Sequence, residues 1–364
     1  MDKTITYIVA ILAVVSLVIA TYGFVNFQGQ IDDLKTSNSN IEGKLATIDT
    51  IEGQLNAIQD QIGEYQTTIE EQQQQISEYQ TVTLADSMGN VVTLTAPPER
   101  IVSVAPSNTE MLFAVGAGDN VVGVTDYCNY PYNFTAWIEA GNMTSIGNYY
   151  SPSVEPIVAL QPDLVLASTG SLDAAANLKA LGYNVLVLEA KTIDGVLQDI
   201  LLVGRATGND AKAGAVVSDI RERIDTIATQ ATAATTTPKV YHEVWNEPLM
   251  SAGPGTFIDE LITLAGGENI FNDATTSWPV TSSEAIIEKN PDVMFFPDMY
   301  MGQANFYETI EAVKDRPGWD SITAVKNNAL YEINADIISR SGPRLVDALE
   351  DIAKMVHPEI FGQP

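Results

Sequence analysis

The sequence predicts an α/β protein of two similar lobes, preceded by an apolar helix and a heptad-patterned stalk. Three observations carry this reading. From Ile101 to Ile333, short β-branched runs alternate with helical patterns, an arrangement that builds parallel sheets covered on both faces. One stretch is written twice: Tyr149 to Leu166 is echoed by Trp278 to Phe295. In both copies an aromatic stands six positions before a glutamate (Glu155, Glu284), and a Pro-Asp pair (Pro162-Asp163, Pro291-Asp292) begins seven positions after it. Finally, the first eighty residues differ in composition from all that follows.

Ile5 to Val25 is almost free of charge, and roughly 20 apolar residues at about 1.5 Å each span a bilayer core. The rival reading is a cleaved signal peptide, but the apolar run is long and Ala20-Thr21-Tyr22 is a weak cleavage site. An uncleaved anchor is favoured. Lys3 before it and Asp32-Asp33 after it place the N-terminus in the cytoplasm and the remaining chain outside. From Gln28 to Gln80, apolar residues recur every seven positions at Leu34, Ile41, Ile48, Leu55, Ile62, Ile69 and Ile76. Ile58, Tyr65 and Tyr79 follow members of that set by three residues, and Leu45 follows Ile41 by four. Sustained heptads predict a coiled coil, on the order of 75 Å long if helical throughout, that either self-associates or folds back as a hairpin. Gly43, Gly53 and Gly63 each weaken the helix by about 1 kcal/mol.

Val82–Leu84 and Val91–Leu94 flank Ser87-Met88-Gly89-Asn90, a hairpin signal. Strands follow at Ile101–Val104, Val121–Val124, Leu164–Ala167 and Val185–Leu188. The helix opening at Pro106 is expected to be capped by Ser107 or Asn108, with Glu110 in its first turn. Ile193 to Ala206 is helical. A second helical run, from about Asn209 to Gln230, carries Val217, Ile220, Ile224 and Ile227 at helical spacing. At ~33 Å it is long enough to cross between two lobes. An Ala/Thr-rich seam ending at Pro238 marks the boundary. Strands at Val240–Val244, Val293–Phe296 and Leu330–Ile333 then repeat the plan, with helices opening near Thr256, Thr281 and Pro343. The expected domains are the anchor, residues 1–25; the stalk, 26–80; the N-terminal lobe, 81–208; the connecting helix, 209–233; and the C-terminal lobe, 234–364.

With 18 Lys+Arg against 47 Asp+Glu, the net charge of −29 disfavours nucleic acid and anionic lipid as partners. One cysteine, Cys128, excludes an intramolecular disulfide and a multi-cysteine metal site. His242, inside a strand pattern, and His357, at a helix end, leave little for metal or imidazole chemistry. No phosphate-binding loop and no nucleophile–base pair stands out, so no catalytic residue is assigned. The aromatics are more informative. Tyr127, Tyr130, Tyr149, Tyr150, Trp245, Trp278, Tyr300 and Tyr307 mostly fall in loops after strands or before helices, where open α/β sheets place their ligands. Such faces suit a large, partly apolar, ring-bearing ligand. Glu155 and Glu284 have a plain reading as first-turn carboxylates, and Thr281-x-x-Glu284 is a capping box. As a matched pair, one per lobe, they are also placed to meet arginines on a two-fold partner.

Arg100–Glu110, Gly123–Pro131, Ser153–Leu164, Ala252–Phe257, Ser341–Leu345 and the segment around Trp278 and Glu284 resemble the substrate-binding proteins of ABC importers for cobalamin, ferric siderophores and haem. The resemblance covers about Thr83 to Pro358. It implies two Rossmann-like lobes joined by one long helix, with the ligand between them. Within that family the vitamin B12-binding proteins are most similar in local motif. The resemblance implies ligand-binding roles for Pro106, Ser107, Tyr127, Tyr149, Tyr150, Trp245, Trp278 and Arg340, and docking of Glu155 and Glu284 on arginines of a dimeric permease. Tyr149 departs from the tryptophan of cobalamin binders, and Arg340 or Arg344 matches the arginines that hold anionic siderophores. The implied protein is a membrane-tethered, extracytoplasmic, non-enzymatic carrier. It would deliver a corrinoid to a permease and its ATPase, with no cofactor beyond the transported ligand. A ferric siderophore or haem is the second ligand class. A stalked surface protein without a transport role is the reading from a different class.

Overall fold

A computed structural model describes residues 3–78, 81–298 and 309–364. The chain divides into two compact units, Met1–Gln75 and Ile76–Pro364. The first is formed by one unbroken helix, α1 (Lys3–Glu78), with no fold-back into a hairpin. Its N-terminal part is long and apolar enough to cross a membrane, and side chains such as Ile11, Leu17 and Phe24 are exposed along it. Tyr79 lies outside the described residues.

The second unit starts with a hairpin, β1 (Val82–Ala85) and β2 (Val91–Leu94). Then comes β3 (Ile101–Ser103), α2 (Pro106–Ala114), β4 (Val121–Val124), α3 (Phe134–Glu139), β5 (Thr144–Ser145), α4 (Val154–Ala159), β6 (Leu164–Ser168), α5 (Leu172–Ala180) and β7 (Val185–Leu188). Their sheet is all parallel, in the order β5-β4-β3-β6-β7. Two helices follow, α6 (Ile193–Ala206) and α7 (Asp210–Ala231). A second sheet is built from β8 (Lys239–Asn246), β9 (Leu249–Ser251), β10 (Glu268–Asn269), β11 (Val293–Pro297) and β12 (Leu330–Ile333). Its order is β10-β8-β11-β12, with β9 antiparallel on β8. Its helices are α8 (Phe257–Leu264), α9 (Ser283–Lys289), α10 (Ile310–Lys314), α11 (Thr323–Lys326), α12 (Ala335–Ser339), α13 (Leu345–Val356) and α14 (Pro358–Phe361).

The apolar strands are continuous because both faces of each sheet are covered. Leu164 and Leu166 face one core, and Val165 between them faces another. The inner core is shared: Ile101 and Leu166 of the first sheet and Val240 and Phe295 of the second belong to one cluster with α6, α7 and α13. Separate clusters cover the far faces, around Val102 and Val185 on the first sheet and Tyr241, Met294 and Trp319 on the second. Val217, Ile220, Ile224 and Ile227 of α7 are buried in the shared core, as their spacing predicts. Arg223 fixes α7 to α13 through Asp347 at 2.6 Å and Glu350 at 2.7 Å.

The duplicated stretch proves to be a duplicated structure. In each copy the residue before the proline is left-handed (Gln161, φ 46°; Asn290, φ 47°), ending the helix. The aspartate then locks the sheet's first strand. Asp163 accepts from the Glu99 and Arg100 amides at 3.0 and 2.9 Å, and Asp292 accepts from the Lys239 amide at 2.9 Å. Two helix starts differ from expectation. α2 has Ala105 as its N-cap and Pro106 in its first turn; neither Ser107 nor Asn108 caps it, because Asn108 instead donates to the Ala167 carbonyl at 3.0 Å. α9 begins at Ser283, capped by Ser282 accepting from Ala285, so Thr281 and Glu284 do not form a capping box.

Candidate functional site

In both sheets the chain runs to one side of its first strand and then returns to the other. The strand order therefore reverses between β3 and β6 and between β8 and β11. Such switch points leave a crevice at the carboxyl ends of the strands. A single cavity of about 620 Å³ is lined from both crevices. Ala105, Pro106 and Ser107 follow β3, Ser168 ends β6, and Thr169 and Gly170 follow it. His242 and Val244 come from β8, Pro297 ends β11, and Ala335 follows β12. The volume is ordinary for an organic-ligand site.

Seven sequence-predicted residues meet on this wall: Pro106, Ser107, Tyr127, Tyr149, Tyr150, Trp278 and Arg340. Trp245 is not among the lining residues. It lies near the end of β8, half-buried, and its indole N–H donates to the Glu247 carbonyl at 2.6 Å. Tyr300 and Tyr307 lie outside the described residues, and Tyr130 stacks under the Arg344 guanidinium at 4.1 Å. The three tyrosines form one group. Tyr127 meets Tyr149 edge-on at 5.8 Å, and Tyr149 lies 3.9 Å from Tyr150. Asn148 positions them, accepting from the Tyr150 amide at 2.8 Å and donating to the Tyr127 hydroxyl at 3.5 Å. Tyr150 and Trp278, contributed by opposite sheets, are 46% and 45% exposed.

Among the described residues, the guanidinium on the cavity wall is already paired. Arg340 donates to Glu110 Oε1 at 2.8 Å, to Asn129 Oδ1 at 2.8 Å and to the Tyr127 carbonyl at 3.2 Å, and pairs with Asp336 at 2.6 Å. Arg344 adds two bonds to Glu110, Nε to Oε2 at 3.0 Å and Nη2 to Oε1 at 2.7 Å. Burial lowers the Arg344 pKa, but the Glu110 hydrogen bonds and charge outweigh it and hold that pKa above the usual arginine value. Lys191, the other Lys or Arg among the described lining residues, is largely exposed and stands 3.5 Å from Glu189. Sequence reasoning missed Glu110, which is buried and joins α2 of the first sheet to the segment after β12.

His242 is stacked on Phe295 at 4.6 Å with Nδ1 3.2 Å from the Phe295 carbonyl. Burial pulls its pKa down to about 4 against the raising effect of that bond, so near neutrality it is a neutral imidazole donating from Nδ1. Cys128 is buried between the hydroxyls of Thr109 and Thr125, and burial pushes its thiol pKa up, so it is held as the thiol. Among the described residues no group of three or more His, Cys, Asp and Glu could hold a metal ion. Glu155 and Glu284 stand apart from the cavity. Each is exposed in the first turn of its helix, α4 or α9, at the second position. Its own amide and the Ser282 hydroxyl hold the Glu284 carboxyl below the usual range.

Two doubly wound, mainly parallel sheets that share an aromatic cavity at their switch points define the class. The family model described as "Periplasmic binding protein" matches residues 101–337, and the chain belongs to that family. It is 33% identical over 293 residues to the uncharacterized ABC transporter substrate-binding lipoprotein YvrC of Bacillus subtilis, covering 77% of this chain and 87% of that one. It is 32% identical over 285 residues to the cobalamin-binding protein of Halobacterium salinarum, covering 76% and 74%. Among solved structures, the periplasmic heme-binding protein RhuT from Roseiflexus, in apo form, matches with a TM-score of 0.63 at 26% identity. That match covers 71% of this chain and 98% of the other.

Proposed function

We propose that this protein is the extracytoplasmic, membrane-tethered substrate-binding protein of an ABC importer and that its ligand is a corrinoid. The two sheets act as two lobes, 81–208 and 234–364, joined by the helix at 209–233, with residues 1–25 as anchor and 26–80 as stalk. The observation that carries the ligand class is an aromatic cavity whose buried guanidinium is already paired. Arg340 is held by Glu110 and Asp336, and Lys191, largely exposed, stands 3.5 Å from Glu189, so the ring faces rather than a free buried cation dominate the wall. Tyr127, Tyr149, Tyr150 and Trp278 offer ring faces to a broad, uncharged macrocycle edged with hydrogen-bonding groups. Names among the relatives support the same class, one being called a cobalamin-binding protein.

Haem is the second reading, favoured by three clustered tyrosines, whose phenolates can ligate iron, and by the RhuT likeness. Native mass spectrometry of protein purified from its own host separates the readings. A retained corrinoid mass supports the first; a haem or ferric siderophore mass replaces it.

Glu155 and Glu284 are assigned to docking on basic residues of the permease. Both are exposed, occupy matched helix positions, and lie off the cavity wall.

A further inference from the structure

Along α1, Ile48, Leu55, Ile62 and Ile69 stand seven residues apart, and Ile51, Ile58 and Tyr65 each follow one of them by three. They form one continuous stripe, and every member is between 50% and 66% exposed. The surroundings of the stripe say what covers it. Between Ile48 and Glu71 the helix carries six acidic residues and no Lys or Arg. Five of the six, Asp49, Asp60, Glu64, Glu70 and Glu71, fall on the outer heptad positions away from the stripe. The positions flanking the stripe are Thr47, Gln54, Gln61 and Thr68 on one side and Glu52, Gln59 and Gln66 on the other, with Glu52 the single charge. Gly53 and Gly63 also lie on outer positions, leaving the stripe unbroken.

A helix destined only for water gains nothing by keeping charge off two particular edges. Identical acidic helices do gain, because flanking positions are where like charges of two strands meet and repel. A basic partner would instead be met by acidic flanks. We propose that this segment pairs with the same segment of a second copy of this chain, parallel and in register, through the seam from Ile48 to Ile69. Parallel pairing also lets the apolar N-terminal segments of both copies enter one membrane. The pair holds two binding units on one tether, raising their effective concentration beside a common partner.

Cysteine placement in the full chain tests this in native membranes, where Cys128 is buried. Ile58→Cys puts thiols across the seam within disulfide reach, whereas Asp60→Cys puts them on the outer face. Oxidation should link Ile58→Cys chains at least about tenfold more than Asp60→Cys chains. Equal linkage of the two, or none in either, overturns the proposal. Light scattering of the full chain in detergent should give twice the 39.3 kDa chain mass, and a higher multiple overturns the pairing. Leu55→Asp with Ile62→Asp should reduce it to a single chain while ligand affinity is unchanged. A single-chain mass for the unaltered protein, or association surviving the double substitution, also overturns it.

Discussion

Glu110 stands 230 residues before Arg340 and 234 before Arg344, yet its one carboxylate binds both guanidiniums. Removing one partner of a buried ion pair leaves the other uncompensated, which costs about 3–5 kcal/mol. Glu110→Ala is therefore expected to lower unfolding stability by that order in urea titration. No local pattern announces this pair. The sequence marks Glu110 only as a first-turn carboxylate, because partners so far apart share no spacing rule. Asp199 is a second residue that pattern could not reveal. It is buried on α6 with Ser87 Oγ at 3.3 Å, and burial first, then the Glu189 charge, pushes its pKa up to about 7. A carboxyl raised above its unfolded value stabilises the fold fully below that unfolded value, near pH 4. The contribution is lost as pH rises through about 7. His242, lowered to about 4, acts with the opposite sign over the same window, so the comparison must be with a variant. Asp199→Asn should gain stability relative to the parent between about pH 4 and pH 8, and match it at pH 4. A constant difference across that range would show that Asp199 does not titrate there.

Elements with a strong period were legible from sequence. The α6 bounds match the expected helix, and α7 differs by one residue at each end, because their apolar faces repeat at helical spacing over many turns. The edge strands β5, β9 and β10, of two or three residues, are too short to show a period and were not foreseen. The start of α9 was expected near Thr281, where Thr281, Ser282 and Ser283 can all cap; tertiary placement selects Ser282. The close approach of α6 to α7 was equally hidden. A Cβ at Gly204 would sit 2.2 Å from the Ala213 Cβ and 3.3 Å from the Asn209 carbonyl oxygen, so only glycine fits. Gly204→Val is expected to cost about 1–3 kcal/mol through overpacking, read from a lowered urea midpoint. An unchanged midpoint would mean that the two helices can separate freely.

At the scale of the molecule, the repeated stretch divides its labour. Its Pro-Asp pairs lock each sheet's first strand, its aromatics Tyr149 and Trp278 reach the shared cavity, and its glutamates stay outside. The cavity wall was legible wherever it is built from such repeats and from strand-end loops. Trp245 stands off the cavity wall, because proximity to a strand end does not say which way the side chain leaves it. Glu155→Ala with Glu284→Ala should leave ligand affinity unchanged while cutting uptake into cells or permease-containing vesicles by at least about tenfold, as expected for loss of exposed docking charges. Normal uptake would leave both glutamates as helix-end charges only. The corrinoid assignment is tested most directly by calorimetric titration of the full chain with cyanocobalamin, beside Trp278→Ala. Saturable one-to-one binding, weakened by about 10- to 100-fold in the variant as for loss of a buried aromatic contact, is the expected result. No binding to the parent protein, or the same affinity in both proteins, would contradict it.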